Sequence, residues 1–212
     1  LLSAVYLFWA FEHAVILIIA WLKSHYLKIC PNLNERTFDL RHDKSQNGKK
    51  LTFALMKALP HKSFWFGHMW VIWPEAPPLA SNGAREAGFY AQCKLKAAKY
   101  LVLSILSPIG PFTGQKPIKG VFLDDRNTDR HWQFHAIIDE STYQEALKID
   151  TKWRQESRYA LRPKIGGRTY SCRDYVFEIA QTIGLKPLPN NWAAFPAESF
   201  HQLLSMNAIS VA

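Results

Sequence analysis

The chain is 212 residues long, 48% hydrophobic and 20% charged, a balance that supports one domain with a sizeable core plus an appendage and excludes a disordered tail. Lys and Arg number 26 against 17 Asp and Glu, a net charge of +9, so charge permits phospholipid head groups, acidic cell-wall polymers or nucleic acid as surroundings. The basic residues are scattered (Lys94, Lys96, Lys99, Arg126, Arg130, Arg154, Arg158, Arg162, Lys164, Arg168) with no zinc-finger or other nucleic-acid signature, which sets specific nucleic acid aside. Cys30, Cys93 and Cys172 are odd in number and lack CxxC spacing, against both a disulfide framework and a structural zinc site. The histidines form no HExxH pair, and no metal or cofactor is expected.

In chain order, residues 1–22 are apolar and long enough for a bilayer-spanning helix, with Trp9 and Trp21 placed as interfacial residues. Glu12 and His13 fall at mid-span, where ionisable groups are costly, so a very apolar buried helix is the competing reading. The chain opens on Leu1 and not on a methionine, so a preceding portion is expected and orientation stays open. Residues 28–50 turn polar, with Pro31, Asn34, Asp39, Asp43 and Gly48, and read as a linker or an ordered extended segment ahead of a domain spanning 51–212. Leu51–Lys57 is a predicted strand. Ser63–Trp73 is a second, rich in aromatic and β-branched residues and apolar on both faces, hence central. His68 shares a face with Phe66 and Trp70, either as a hydrogen-bonded core residue or as a base, and Gly67 leaves room for a backbone or a substrate to approach.

Glu86–Gln92 is predicted to pair with that strand. Residues 93–106 carry mixed helix and strand signals, and 108–120, rich in Pro and Gly, reads as an exposed excursion. After a polar turn over Asp124–Arg130 come a strand at His131–Ile138, a helix from Asp139 to about Lys152 with Tyr143, Ala146 and Leu147 inward, and a short strand at Tyr159–Leu161. A last helix is expected over Ala197–Met206.

Between them lies the stretch with the clearest local signals. Ser171 is a good N-cap, Asp174 adds negative charge to the first turn, and Gly184 followed by Pro187 is a stop signal. Cys172 then occupies the first turn, and its spacing to Val176, Ile179 and Ile183 sets it on the inward stripe. Unpaired amides and the positive end of the dipole favour a thiolate there, which makes a nucleophile; the plain alternative is a small buried hydrophobe.

Gly67-His68-Met69-Trp70-Val71 on a strand, Gly88-Phe89-Tyr90 on the next, and Ser171-Cys172-Arg173-Asp174-Tyr175 at a helix start resemble the circularly permuted papain-like cysteine hydrolases. This group includes permuted NlpC-type peptidases and amidases and the lecithin retinol acyltransferase-like enzymes with their Asn-Cys-Glu-His-Phe motif. Ser171 stands where that motif has asparagine, and Arg173-Asp174 where it has Glu-His. The resemblance covers about residues 51–206 and implies an α+β fold, an antiparallel sheet packed against the nucleophile helix. It also implies catalytic Cys172 with His68 as general base, oriented by Glu86 or, behind it, Gln92; His135 is the rival base. Trp70, Tyr90, Gln92 and Tyr170 are the expected substrate-binding residues. The implied reaction is amide cleavage in peptidoglycan stem peptides, with lipid acyl transfer and a non-catalytic membrane-tethered module as alternatives. The tail from Gly184-Leu185-Lys186-Pro187 resembles secreted bacterial members, which implies delivery to a bacterial periplasm, secretion machinery or an immunity protein as partner, and membrane contact.

Overall fold

The computed structural model describes residues 34–58, 67–74, 85–107, 109–155, 158–162, 167–186 and 195–208, with Phe11, Ala14, Val15, Ile18, Ile19, Trp21 and Leu22 near the N-terminus. The membrane helix expected over 1–22 therefore falls for the most part outside the described residues, among which no helix is long and apolar enough to cross a membrane.

The fold is mixed α+β. Seven strands form a mostly antiparallel sheet: β1 (Thr37–Asp39), β2 (Lys49–Met56), β3 (His68–Ile72), β4 (Glu86–Ala91), β5 (Ile118–Asp124), β6 (Trp132–Ile138) and β7 (Arg158–Tyr159). Their order is β1-β6-β2-β3-β4-β5-β7, and among the described strands β1 alone pairs parallel to its neighbour. Helices are α1 (Lys94–Leu106), the single turn α2 (Gly110–Thr113), α3 (Glu140–Gln155), α4 (Cys172–Thr182) and α5 (Pro196–Ala208).

Alternation along the strands sorts the core, because successive side chains point to opposite faces. Leu51, Phe53 and Leu55 of β2 join Met69, Val71 and Trp73 in a large cluster under α3, α4 and α5, while Ala54, Met56, Trp70 and Ile72 form a smaller one. Burial on both faces, expected of β3, is what the strand shows. Phe134 lies at the middle of the large cluster, stacked on Phe53 at 4.7 Å and edge-on to Phe38 at 5.6 Å. Such aromatic pairs add roughly 1 kcal/mol each beyond the area they bury.

Three segments take a form that the sequence left open or did not show. Asn34 to Lys50 is part of the sheet body: β1 lies beside β6, Leu40 N–H donates to Ile137 O at 2.9 Å, and Phe38 is buried. This is the ordered extended alternative for that segment, joined to the sheet ahead of residue 51. The mixed signals over 93–106 resolve as helix α1. Strand β5 emerges from what read as the end of a loop and the start of a polar turn, paired along β4 from Ala91↔Gly120 to Ala87↔Asp124. Its seven residues, Ile118 to Asp124, run Val-Phe-Leu in the middle without alternation, too short and irregular a pattern to declare a strand without its partner.

Candidate active site

Helix α4 starts where its local chemistry dictates. Ser171 is extended, and the Asp174 carboxylate accepts its N–H at 2.9 Å and its hydroxyl at 2.5 Å, tying the cap to the first turn. The other carboxylate oxygen accepts the Thr169 hydroxyl at 2.6 Å. At the far end Gly184, at φ +91°, closes a Schellman motif: its N–H donates to Gln181 O and that of Leu185 to Ala180 O. Tyr175, Val176, Ile179 and Ile183 are buried in the large cluster, so the inward stripe holds Cys172 against the sheet, itself buried.

His68 is the first residue of β3, and Gly67 before it has φ +77°, with Met56 O only 2.9 Å from where a Cβ would stand. The glycine lets the backbone at the end of β2 come close, one of the two approaches expected there. The buried imidazole hydrogen-bonds Cys172, and its Nε2 lies 3.2 Å from Asp125 Oδ2. With Nε2 engaged by the carboxylate, Nδ1 is the nitrogen left for the sulfur. The Tyr90 ring lies nearly parallel to the imidazole at 4.0 Å and 22°, and Trp70 at 5.6 Å and 13°.

Asp125 is fully buried, and an unpaired carboxylate there would be costly. Three donors satisfy it: His68 Nε2, the Tyr90 hydroxyl, and the Thr128 hydroxyl at 2.9 Å. Thr128 N–H also donates to Asp125 O, closing a turn that follows β5, and Asp125 N–H donates to Glu86 O on β4. Burial by itself pushes the His68 pKa down, but the negative charges of Cys172 and Asp125 and the hydrogen bonds to both reverse this and raise it to about 9. Burial and the charge of Asp125 push the Tyr90 phenol well up, so it stays a donor. The Tyr159 phenol is likewise pushed up, by burial and then by the charges of Cys172 and Asp174.

Gly88 is the floor of this arrangement. Its backbone needs no left-handed conformation; what it supplies is space, since a Cβ there would overlap both His68 Nε2 and Asp125 Oδ2. Gly88→Ala is expected to displace the imidazole and cut turnover at least about 100-fold, as a misplacement near 1 Å does, while the fold survives. Kinetics beside circular dichroism test this. Full activity in a folded Gly88→Ala protein would mean that the His68–Asp125 contact is not needed.

Of the residues singled out from the sequence, Cys172, His68, Trp70 and Tyr90 are brought together. Glu86 is not: both its oxygens accept from Arg130 Nη2 at 2.7 Å. Asp125, just past the end of β5, takes the position expected of it beside His68. Gln92 is exposed, and its backbone pairs with Lys119 O. His135 bonds the Thr52 hydroxyl at 2.8 Å, with burial and then Lys50 holding its pKa low. Tyr170 bridges to Ala160, its ring facing the guanidinium groups of Arg158 and Arg168 at 4.9 and 4.6 Å. Asp125, Thr128 and Tyr159 were missed. The signal available for Asp125 was its place at the head of a four-residue turn, a position aspartate favours.

Comparison with known protein families, curated proteins and solved structures finds no match.

Proposed function

We propose that the protein is a cysteine hydrolase with permuted papain-like packing, cleaving an amide bond through a thioester on Cys172. The observation that carries this is the chain of contacts from Cys172 through His68 to Asp125 at the start of a helix. The Cys172 sulfur, as thiolate, attacks the carbonyl carbon, and the Cys172 amide, with no intrahelical carbonyl to bond, donates to the developing oxyanion. As the C–N bond breaks, the His68 imidazolium gives its proton to the leaving amine. The neutral imidazole then takes a proton from water, whose oxygen attacks the thioester, and departure of the acid restores thiolate and imidazolium. Asp125 keeps Nε2 protonated and aimed throughout.

For substrate we propose the stem peptide of peptidoglycan, reached in a bacterial periplasm. The support is permissive: the net charge of +9 suits an anionic wall polymer. Muropeptides after periplasmic expression are expected to show new stem-peptide fragments that vanish with Cys172→Ala. An unchanged profile together with Cys172-dependent release of fatty acid would move the enzyme to lipid esters, a second reading favoured by the apolar, lysine-flanked surface of α1.

A further inference from the structure

Helix α1 is built the wrong way round for a helix of a soluble core. The buried residues of its inner side are Ala97, Ser104 and Ile105, so a single large apolar side chain is fully turned inward. That side is fastened by side chains: Gln115 Nε2 donates to Ala97 O at 3.0 Å, and Arg162 Nη1 donates to Ser104 O. Gln115 Oε1 in turn accepts from Leu161 N–H at 2.8 Å, so the helix is held to the segment that follows β7. Its outer side carries the large apolar residues. Leu95, Val102, Leu103 and Leu106 are 84%, 51%, 52% and 54% exposed, and their spacing of seven, eight and eleven residues from Leu95 lays them on one stripe. Ile109 and Phe112, 61% and 70% exposed, continue the apolar surface past the helix end. Single exposed apolar residues are ordinary, whereas a contiguous run of them marks a contact surface.

The charges around this stripe select what it contacts. From Cys93 to Lys119 the chain holds five lysines (Lys94, Lys96, Lys99, Lys116 and Lys119) and no acidic residue. Lys99 falls within the stripe itself, and a flexible stem lets such a side chain cover apolar surface while its ammonium reaches a polar layer. A second copy of the chain would set these lysines against each other across a two-fold interface. An interface between water and anionic lipid meets both demands at once: acyl chains for the leucines and phosphates for the lysines.

We propose that α1 and α2 form a docking face for an anionic glycerophospholipid bilayer, lying in its surface with Leu95, Leu103, Leu106 and Phe112 entering the acyl boundary. The proposal goes beyond the reaction at Cys172 and does not depend on it. Each lysine close to such a surface strengthens binding about fivefold at moderate salt, which makes the contact salt-sensitive.

The test uses the full chain with its native cysteines replaced by serine and an environment-sensitive NBD probe on one new cysteine: Leu103→Cys, Phe112→Cys or, as a control on the exposed side of α3, Gln144→Cys. With phosphatidylcholine vesicles containing one-quarter phosphatidylglycerol, the probes at 103 and 112 are expected to brighten severalfold, shift to the blue and be quenched by spin-labelled lipid. High salt should reverse this, and the probe at 144 should not respond. No response at 103 and 112 while the chain sediments with the vesicles would overturn the proposal and assign the contact to another segment. An equal response on pure phosphatidylcholine would overturn the charge argument. A blue shift that needs no lipid and grows with protein concentration would assign the face to a second copy.

Discussion

Asp125→Asn is expected to lower kcat by up to about 10⁴-fold in a chain that still folds, the scale set when an orienting carboxylate is replaced by an amide. The amide removes the charge facing His68 Nε2 and can present a donor where an acceptor is required, so the imidazole loses its preferred tautomer. A second readout separates this positioning role from simple damage to the fold. In the native protein the His68 pKa is raised to about 9 by Cys172 and Asp125 against the opposing effect of burial. Without the carboxylate, burial opposes the effect of Cys172 without the help of Asp125, and the NMR titration of the ring is expected to move to lower pH. The same coupling gives stability a pH dependence of known sign. Because the folded pKa lies above the unfolded value of about 6.5, the contribution is complete below that pH and is lost as pH rises through about 9. In Asp125→Asn the contribution should be smaller and its loss complete at a lower pH, since only the folded value moves. A His68 titration unmoved by Asp125→Asn would remove Asp125 from the relay.

Asp150→Ala is expected to destabilise the protein by about 3 kcal/mol, the low end for breaking a buried charged pair. Asp150 lies on α3 with no exposed surface; it accepts Arg154 Nε at 2.7 Å and the Tyr175 hydroxyl at 2.5 Å. Tyr175 belongs to α4 three residues after Cys172, and its hydroxyl also accepts the Trp73 indole N–H at 3.4 Å. Asp150 is therefore the polar tie between α3, α4 and the residue that follows β3. Removing it leaves a buried phenol without its acceptor, while Arg154, partly exposed and stacked over Phe122 at 4.5 Å, can turn to water, which keeps the cost from the upper end. Denaturant unfolding should show a lower midpoint with an unchanged slope, and melting should fall on the order of 10 °C. Adding Arg154→Met should recover part of the loss. A midpoint equal to that of the native chain would show that the tie carries no stability.

What the sequence determined by itself is the part of the site written in neighbouring residues. Ser171, Asp174, the stripe of Val176, Ile179 and Ile183, and Gly184 specify a helix that begins at Cys172 and ends where it does, because caps, periodicity and C-terminal glycine act within a few residues of chain. The aromatic and β-branched run around His68 likewise announces a strand buried on both faces. That Asp125 is the carboxylate beside His68 was decided by tertiary structure. Asp124 and Asp125 are adjacent and chemically equal; one turns out to Arg126 at 2.6 Å and the other turns in to His68. Which one turns in depends on the alternation of β5, and β5 exists because β4 offers it a ladder across some thirty intervening residues. Glu86 sits on the expected strand but is claimed by Arg130, whose position is likewise a product of distant pairing. Gly88 shows the same division: its identity is plain in the sequence, but the space it leaves has a purpose only once His68 and Asp125 meet above it.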